Sequence, residues 1–155
     1  MDYDQILPPL FVGACPRRPR DIDQLKEDSG ITAVLNLQTV GDFSYWGIDW
    51  SELELHYQRS GIEVRRVPVT DFDRDDLRRN LPKCVRTLDE LLRGGHTAYV
   101  HCSAGINRSP STVIAYLHWI EQFELDKAIT HVMQRRPCDP YLEAIRAATE
   151  DWQER

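Results

Sequence analysis

One stretch of the sequence has residue types and spacing suited to chemistry: His101-Cys102-Ser103-Ala104-Gly105-Ile106-Asn107-Arg108-Ser109-Pro110. An apolar run delivers a cysteine, five residues form a loop, and an arginine stands where a helix can open. The backbone N–H groups of such a loop can converge on one point, and the N-terminus of the following helix adds partial positive charge there. The result is a cradle for a dianion. Ser103, Ala104, Gly105, Ile106 and Asn107 would line it, with Gly105 free to take torsions that other residues resist. Arg108 supplies a planar fork matched to phosphate oxygens. The same field favours a thiolate nucleophile at Cys102. Ser109 can hydrogen-bond the sulfur as it leaves. His101, alternating to the other face of its strand, would orient the loop from behind. A buried cysteine at a tight strand-to-helix turn is the plainer alternative, but it requires neither Arg108 nor Ser109.

A thiolate that expels an alkoxide from a phosphate monoester needs a partner to protonate the leaving oxygen. Asp71 follows directly on an apolar strand and lies 31 residues before Cys102. Asp73, Asp75 and Asp76 compete with it. Their alternative use is to stabilise a helix N-terminus.

The elements that must position these groups alternate along the chain. Residues 10–12 read as a short strand ending at Gly13, and Pro19 opens a helix through 21–28 that Gly30 stops. Residues 31–37 form a buried strand. Residues 38–49 read as a long loop holding Phe43, Tyr45 and Trp46, and loops of that length are often functional. Asp49 or Ser51 caps a helix that ends at Gly61. A strand at 62–69 leads into the acidic segment 70–76. Pro82 opens a helix over 81–93, and residues 97–101 form the strand that delivers Cys102. Helices follow at 110–123, 126–135 and 140–152. Alternating strands and helices predict an α/β fold with a central, mostly parallel sheet flanked by helices, and a site at the C-terminal ends of its strands.

Composition narrows the partners. A chain of 155 residues fits one domain, and its 41% hydrophobic and 28% charged content is ordinary for a globular protein. A formal charge of −6 argues against a nucleic-acid or anionic-membrane surface. No apolar run approaches the length of a membrane span, and the acidic N-terminus lacks a secretory h-region. Cys15, Cys84, Cys102 and Cys138 form no C-x-x-C pair, and the five histidines show no ligand spacing, so no metal or cofactor is expected. A reduced cytoplasmic monomer is the expectation, with a plastid location open if a transit peptide has been removed.

The string from His101 to Ser109 resembles the His-Cys-x5-Arg-Ser signature of the protein tyrosine phosphatase superfamily. The rest of the chain is similar to the dual-specificity branch, in particular to plant phosphoglucan phosphatases and laforin. Residues 3–13 resemble their first strand, 41–49 their aromatic recognition loop, 71–82 their acid loop and following helix, and 138–152 their C-terminal helix. The resemblance implies a dual-specificity-phosphatase-like catalytic domain over residues 1–155, with Asp71 as the acid at the separation usual for that branch. It implies dephosphorylation of a phosphorylated polysaccharide, with Tyr45, Trp46 and Phe72 as glucan contacts. Flat C–H faces of glucose rings stack on aromatic side chains, and exposed aromatics beside a site are costly unless used.

Two departures stand out. Asn107 precedes the arginine where these relatives usually have glycine, and Asn-Arg also occurs in protein-directed enzymes. A phosphoprotein substrate therefore stays open. Asn36 stands where plant relatives carry a second cysteine that locks the catalytic one, so that redox switch is expected to be absent. No carbohydrate-binding module follows the last helix, so glucan affinity is expected to reside in the catalytic domain. A phosphoinositide substrate would call for extra Lys or His in the loop, and Ser103, Ala104, Ile106 and Asn107 are uncharged. A phosphate-binding module without activity would not need Cys102, Arg108 and Asp71 together.

Overall fold

A computed structural model describes residues 1–153. The elements in chain order are β1 (Tyr3–Leu7), β2 (Leu10–Gly13), α1 (Pro19–Ser29), β3 (Ala33–Asn36), α2 (Val40–Trp46), α3 (Trp50–Arg59), β4 (Glu63–Arg66), α4 (Arg74–Arg93), β5 (Ala98–His101), α5 (Arg108–Trp119), α6 (Leu125–Arg135) and α7 (Leu142–Gln153). The five strands form one mixed sheet in the order β1-β2-β5-β3-β4. β1 is antiparallel to β2, and every other neighbour pair is parallel. The expected mostly parallel sheet is therefore present, with one antiparallel edge strand.

Side-chain alternation divides the interior into two cores. Leu10, Val12, Ala33, Leu35, Ala98 and Val100 point to one face, where α4, α5, α6 and α7 cover them. Phe11, Val34 and Tyr99 point to the other, against Ile22 and Leu25 of α1, Phe43 of α2, and Leu53 and Tyr57 of α3. β5 is central and buried at all four positions, so its C-terminal end lies between both helical layers. Cys102 leaves that end. Among the described residues, no helix is long and apolar enough to cross a membrane.

Three local expectations are corrected. Residues 38–49 are not a continuous loop, because α2 occupies Val40–Trp46. Thr39 accepts from the Asp42 amide while Asp42 accepts from the Thr39 amide, a reciprocal cap, and Gly47 ends the helix in the left-handed region. The helix expected over 81–93 begins at Arg74, capped by Asp73, so Pro82 lies inside it. An interior proline costs about 3 kcal/mol. The buried stripe Leu77, Leu81, Val85, Leu88 and Leu91 runs through it. Each such side chain contributes about 1.5–3 kcal/mol by burial, which outweighs the proline. α5 starts at Arg108, two residues before Pro110, because Pro110 then falls in the first turn where no intrahelical donor is needed.

Candidate active site

In the segment between β5 and α5 each carbonyl is tied to a partner. The Cys102 carbonyl accepts from His101 Nδ1 at 2.9 Å. The Ser103 carbonyl accepts from the Cys15 amide at 2.9 Å. The Ala104 and Gly105 carbonyls accept from Arg136 Nη2 and Nε at 3.1 and 2.7 Å. The Ile106 carbonyl accepts from the Asp139 amide at 2.8 Å, and the Asn107 carbonyl accepts from Ser111. In a planar trans peptide the carbonyl and the next N–H point in opposite directions. Tying each carbonyl outward therefore turns the amides of residues 103–108 inward. Amides so turned, with the N-terminus of the 12-residue α5 behind them, have the arrangement that the expected anion cradle requires.

Gly105 takes the left-handed conformation, at φ +71°. A Cβ there would lie 2.6 Å from Arg136 Nη2 and closer still to the Gly13 backbone. Cys102 is buried, and its Sγ lies 3.2 Å from Ser109 Oγ. His101 sits on the opposite face of β5, stacked on Tyr99. Burial pushes its imidazole down to about 4, so the ring is neutral at neutral pH. Because a carbonyl only accepts, the proton of that neutral ring sits on Nδ1.

Arg108 is 1% exposed and its guanidinium is held from several sides. Nη1 donates to Asp42 Oδ2 at 2.7 Å and to the Val69 carbonyl at 2.8 Å, while Nη2 donates to Ser103 Oγ at 3.2 Å. Asp71 Oδ2 lies 3.3 Å from Nη2. Burial alone would raise the Asp42 carboxyl. Hydrogen bonds from Arg108 and Thr39 outweigh it and hold that carboxyl below the ordinary carboxylate range. Burial raises the thiols of Cys15 and Cys138 and pushes Cys84 up to about 12.

A cleft of about 480 Å³ opens over this cradle, lined by Asp71, Phe72, Cys102, Ile106, Arg108 and Tyr141 among others. Asp71 and Cys102 thus face one space. The three competing carboxylates are placed elsewhere. Asp73 caps α4, Asp76 accepts from the Thr70 amide at 2.7 Å, and Asp75 lies exposed in the first turn. Phe72 is 85% exposed on the cleft rim at φ +59°. Tyr45 and Trp46 do not line the cleft. They occupy the C-terminal end of α2, with Tyr45 exposed and the Trp46 ring under Arg17 at 4.4 Å. Asn107 Nδ2 donates to the Asp139 carbonyl at 2.8 Å, so this departure from the usual glycine ties the loop to the segment before α7. Asn36, at the end of β3, accepts from the Gln38 amide through its side chain.

Sequence reasoning did not find Asp42, Arg136, Asp139 or Tyr141. Thr39-x-x-Asp42 is a recognisable capping box and could have exposed the first. Nothing local marks the other three, since they reach the loop only through tertiary packing.

Residues 10–143 match the family model for the dual specificity phosphatase catalytic domain. The phosphoglucan phosphatase LSF1, chloroplastic, of Arabidopsis thaliana is 38% identical over 151 residues, covering 97% of this chain and 25% of that protein. Laforin of Mus musculus is 32% identical over 148 residues, covering 89% of this chain and 45% of that protein. The chain therefore spans less than half the length of either. The crystal structure of PTPMT1 superposes with a TM-score of 0.77 at 22% identity, over 98% of this chain and 94% of that one.

Proposed function

The chain belongs to the dual-specificity phosphatase catalytic domain family, and from that premise we propose that it removes phosphate from a phosphorylated glucan through a phosphocysteine intermediate. The observation that carries the chemistry is the loop whose carbonyls, from Cys102 to Asn107, are each bonded outward, leaving its amides for phosphate oxygens. Preorganised donors of this kind stabilise charge that develops during transfer. Cys102 Sγ attacks phosphorus as the ester P–O bond breaks, and Asp71 gives its proton to the leaving oxygen. Phosphate, by taking Arg108 Nη2, would release Asp71 from its 3.3 Å ion pair for that task. Water then attacks the phosphocysteine and returns a proton to Asp71. The S–P bond breaks with Ser109, 3.2 Å away, hydrogen-bonding the departing sulfur.

Similarity to phosphoglucan phosphatases over most of the chain supports a polysaccharide substrate, and the exposed Phe72 ring on the cleft rim supports it physically. Phe72 can stack on a sugar held over Cys102. Tyr45 could extend that contact along the chain, while Trp46 has part of its ring committed to Arg17. The relative named as chloroplastic supports a plastid rather than a cytoplasmic location. The deciding experiment compares phosphate release from amylopectin and from a phosphotyrosine peptide, each normalised to a generic aryl phosphate. Faster normalised release from amylopectin is expected. Preference for the peptide would replace the glucan with a phosphoprotein, and no release from any of the three would refute the phosphatase reading.

A further inference from the structure

Arg136 is 1% exposed, and its guanidinium spans two groups of partners that are far apart in sequence. On one side Nε and Nη2 donate to the carbonyls of Gly105 and Ala104 at 2.7 and 3.1 Å. On the other, Nη1 donates to Asp4 Oδ2 at 3.0 Å and Asp2 Oδ1 at 3.2 Å, and Nη2 reaches Asp2 Oδ2 at 3.3 Å. Asp2 is 74% exposed and Asp4 36% at their side chains, so solvent reaches this end of the cluster while the other end stays dry.

We propose that Arg136 is a positioning residue for phosphoryl transfer, and that the N-terminal carboxylates of Asp2 and Asp4 set its orientation. This inference rests on the phosphatase reading above. Two consecutive carbonyls held by one planar fork fix two consecutive peptide planes. The Gly105 and Ile106 amides, which lie across those planes from the carbonyls, then face the Cys102 side of the loop. One cation against two carboxylates leaves the cluster net negative, so it does not act as a source of positive field at the phosphate. Its contribution is the aim of the two amides. Gly105 cooperates, because a side chain there would occupy the space that Arg136 Nη2 fills. The segment that opens the chain thereby becomes part of the phosphate site, although it touches none of the reacting atoms.

Lysine at 136 keeps the charge and loses the fork, so Arg136→Lys is the direct test. The Asp2→Asn/Asp4→Asn double variant alters only the wetter end. Each is compared with the unsubstituted protein for kcat and KM on an aryl phosphate, for inhibition by inorganic phosphate, for the rate of Cys102 alkylation by iodoacetamide, and for thermal unfolding. Arg136→Lys is expected to lose about tenfold to a hundredfold in kcat/KM, as small misplacements of catalytic groups do. Phosphate inhibition should weaken and alkylation slow in the same variant. The double variant is expected to lose about fivefold in kcat/KM, with the same weakening of phosphate inhibition and a nearly unchanged melting temperature. A purely structural Arg136 would instead lower the melting temperature and leave both phosphate inhibition and alkylation unchanged in the folded fraction. That result overturns the proposal. If Arg136→Lys does not fold, the double variant decides, and unchanged phosphate inhibition there overturns it equally. An unsubstituted protein inert toward aryl phosphate would refute the phosphatase reading instead. Alkylation and its protection by phosphate would still report on Arg136.

Discussion

The loop from Cys102 to Asn107 and the loop carrying Asp71 and Phe72 face each other across one cleft but are held by different means. From Cys102 to Asn107 each carbonyl has a fixed partner, and Cys102, Ser103, Arg108 and Ser109 are all buried. The loop carrying Asp71 is held more lightly, at its edges and by the 3.3 Å ion pair from Asp71 to Arg108. Thr70 donates to Asp76 and Asp73 caps α4, while between them Phe72 projects into solvent. The difference separates two requirements. Bond-making needs groups held to a fraction of an ångström, which only redundant contacts supply. Choosing a substrate needs surface that the folded chain has not already used.

The largest effect belongs to the buried side of this comparison. Cys102→Ser should abolish turnover while the protein still folds and binds phosphate, because a serine hydroxyl stays protonated where a thiol can ionise. Turnover near that of the unsubstituted protein would show that the loop is not where the chemistry occurs. Asp71→Asn, on the opposite loop, should slow alkyl phosphates strongly and aryl phosphates little, since a phenolate leaves without much help. If Asp73→Asn shows that pattern instead, the acid has been assigned to the wrong carboxyl.

A pH series tests how tightly the loop is tied to the fold. Burial holds His101 at about 4, whereas an unfolded histidine titrates at about 6.5. In acid the unfolded chain therefore binds a proton that the folded chain refuses, and stability falls as pH falls. The His101 contribution is fully present above about pH 6.5 and is lost progressively toward about pH 4, amounting to about 3 kcal/mol. Asp42 and Asp76, whose carboxyls are held below the ordinary range, contribute a loss of stability with the same sign from about pH 5 downward, so the His101 share has to be separated from theirs. Urea unfolding at pH 7 and pH 4.5 measures the loss, with His101→Gln as control. An equal loss in both proteins would assign it to other groups.

The exposed side gives the smallest effect. Phe72→Ala should lower glucan turnover about fivefold, because a stacked ring contributes on the order of 1 kcal/mol beyond its buried area. Hydrolysis of an aryl phosphate should barely change, and the melting temperature should not fall. Tyr45→Ala should behave alike with a smaller loss. Trp46→Ala is expected to lower the melting temperature as well, because the ring packs against the α1–α3 core and Arg17. Equal losses on both substrates for Phe72→Ala would erase the proposed division between the two loops.

Most of the order of strands and helices was legible because hydrophobic runs and glycine or proline stops are local, but residues 3–13, read as one strand region, hold the two antiparallel strands β1 and β2. Cys102, Arg108 and Ser109 were brought to one loop as expected, because their spacing along a strand-loop-helix is local. Asp71 was picked by position, and the structure places it in the cleft with Cys102 while Asp73 and Asp76 make capping and turn bonds; its part as acid belongs to the proposal. α2 was missed because two glycines and three aromatics obscured a seven-residue helix that its caps define. Pro82 was misread as a helix start because burial, a tertiary quantity, overrides its local penalty. Arg136 was illegible, since its carboxylate partners lie 134 and 132 residues away. Trp46 shows the converse: an aromatic in a promising stretch of sequence whose ring is partly claimed by the fold.

The left-handed backbone at Phe72 has a consequence for how this protein could change. A non-glycine residue at φ +59° carries strain of about 1–3 kcal/mol, which glycine would relieve and asparagine would reduce. The ring offsets none of it by burial, since it stands in water. At this position the stability of the fold and possession of the ring pull in opposite directions. A lineage selected only for heat resistance would drift to glycine here, gaining robustness and losing the ring on which the proposed sugar contact depends. Thermostability and substrate choice are thus set against each other at a single backbone torsion.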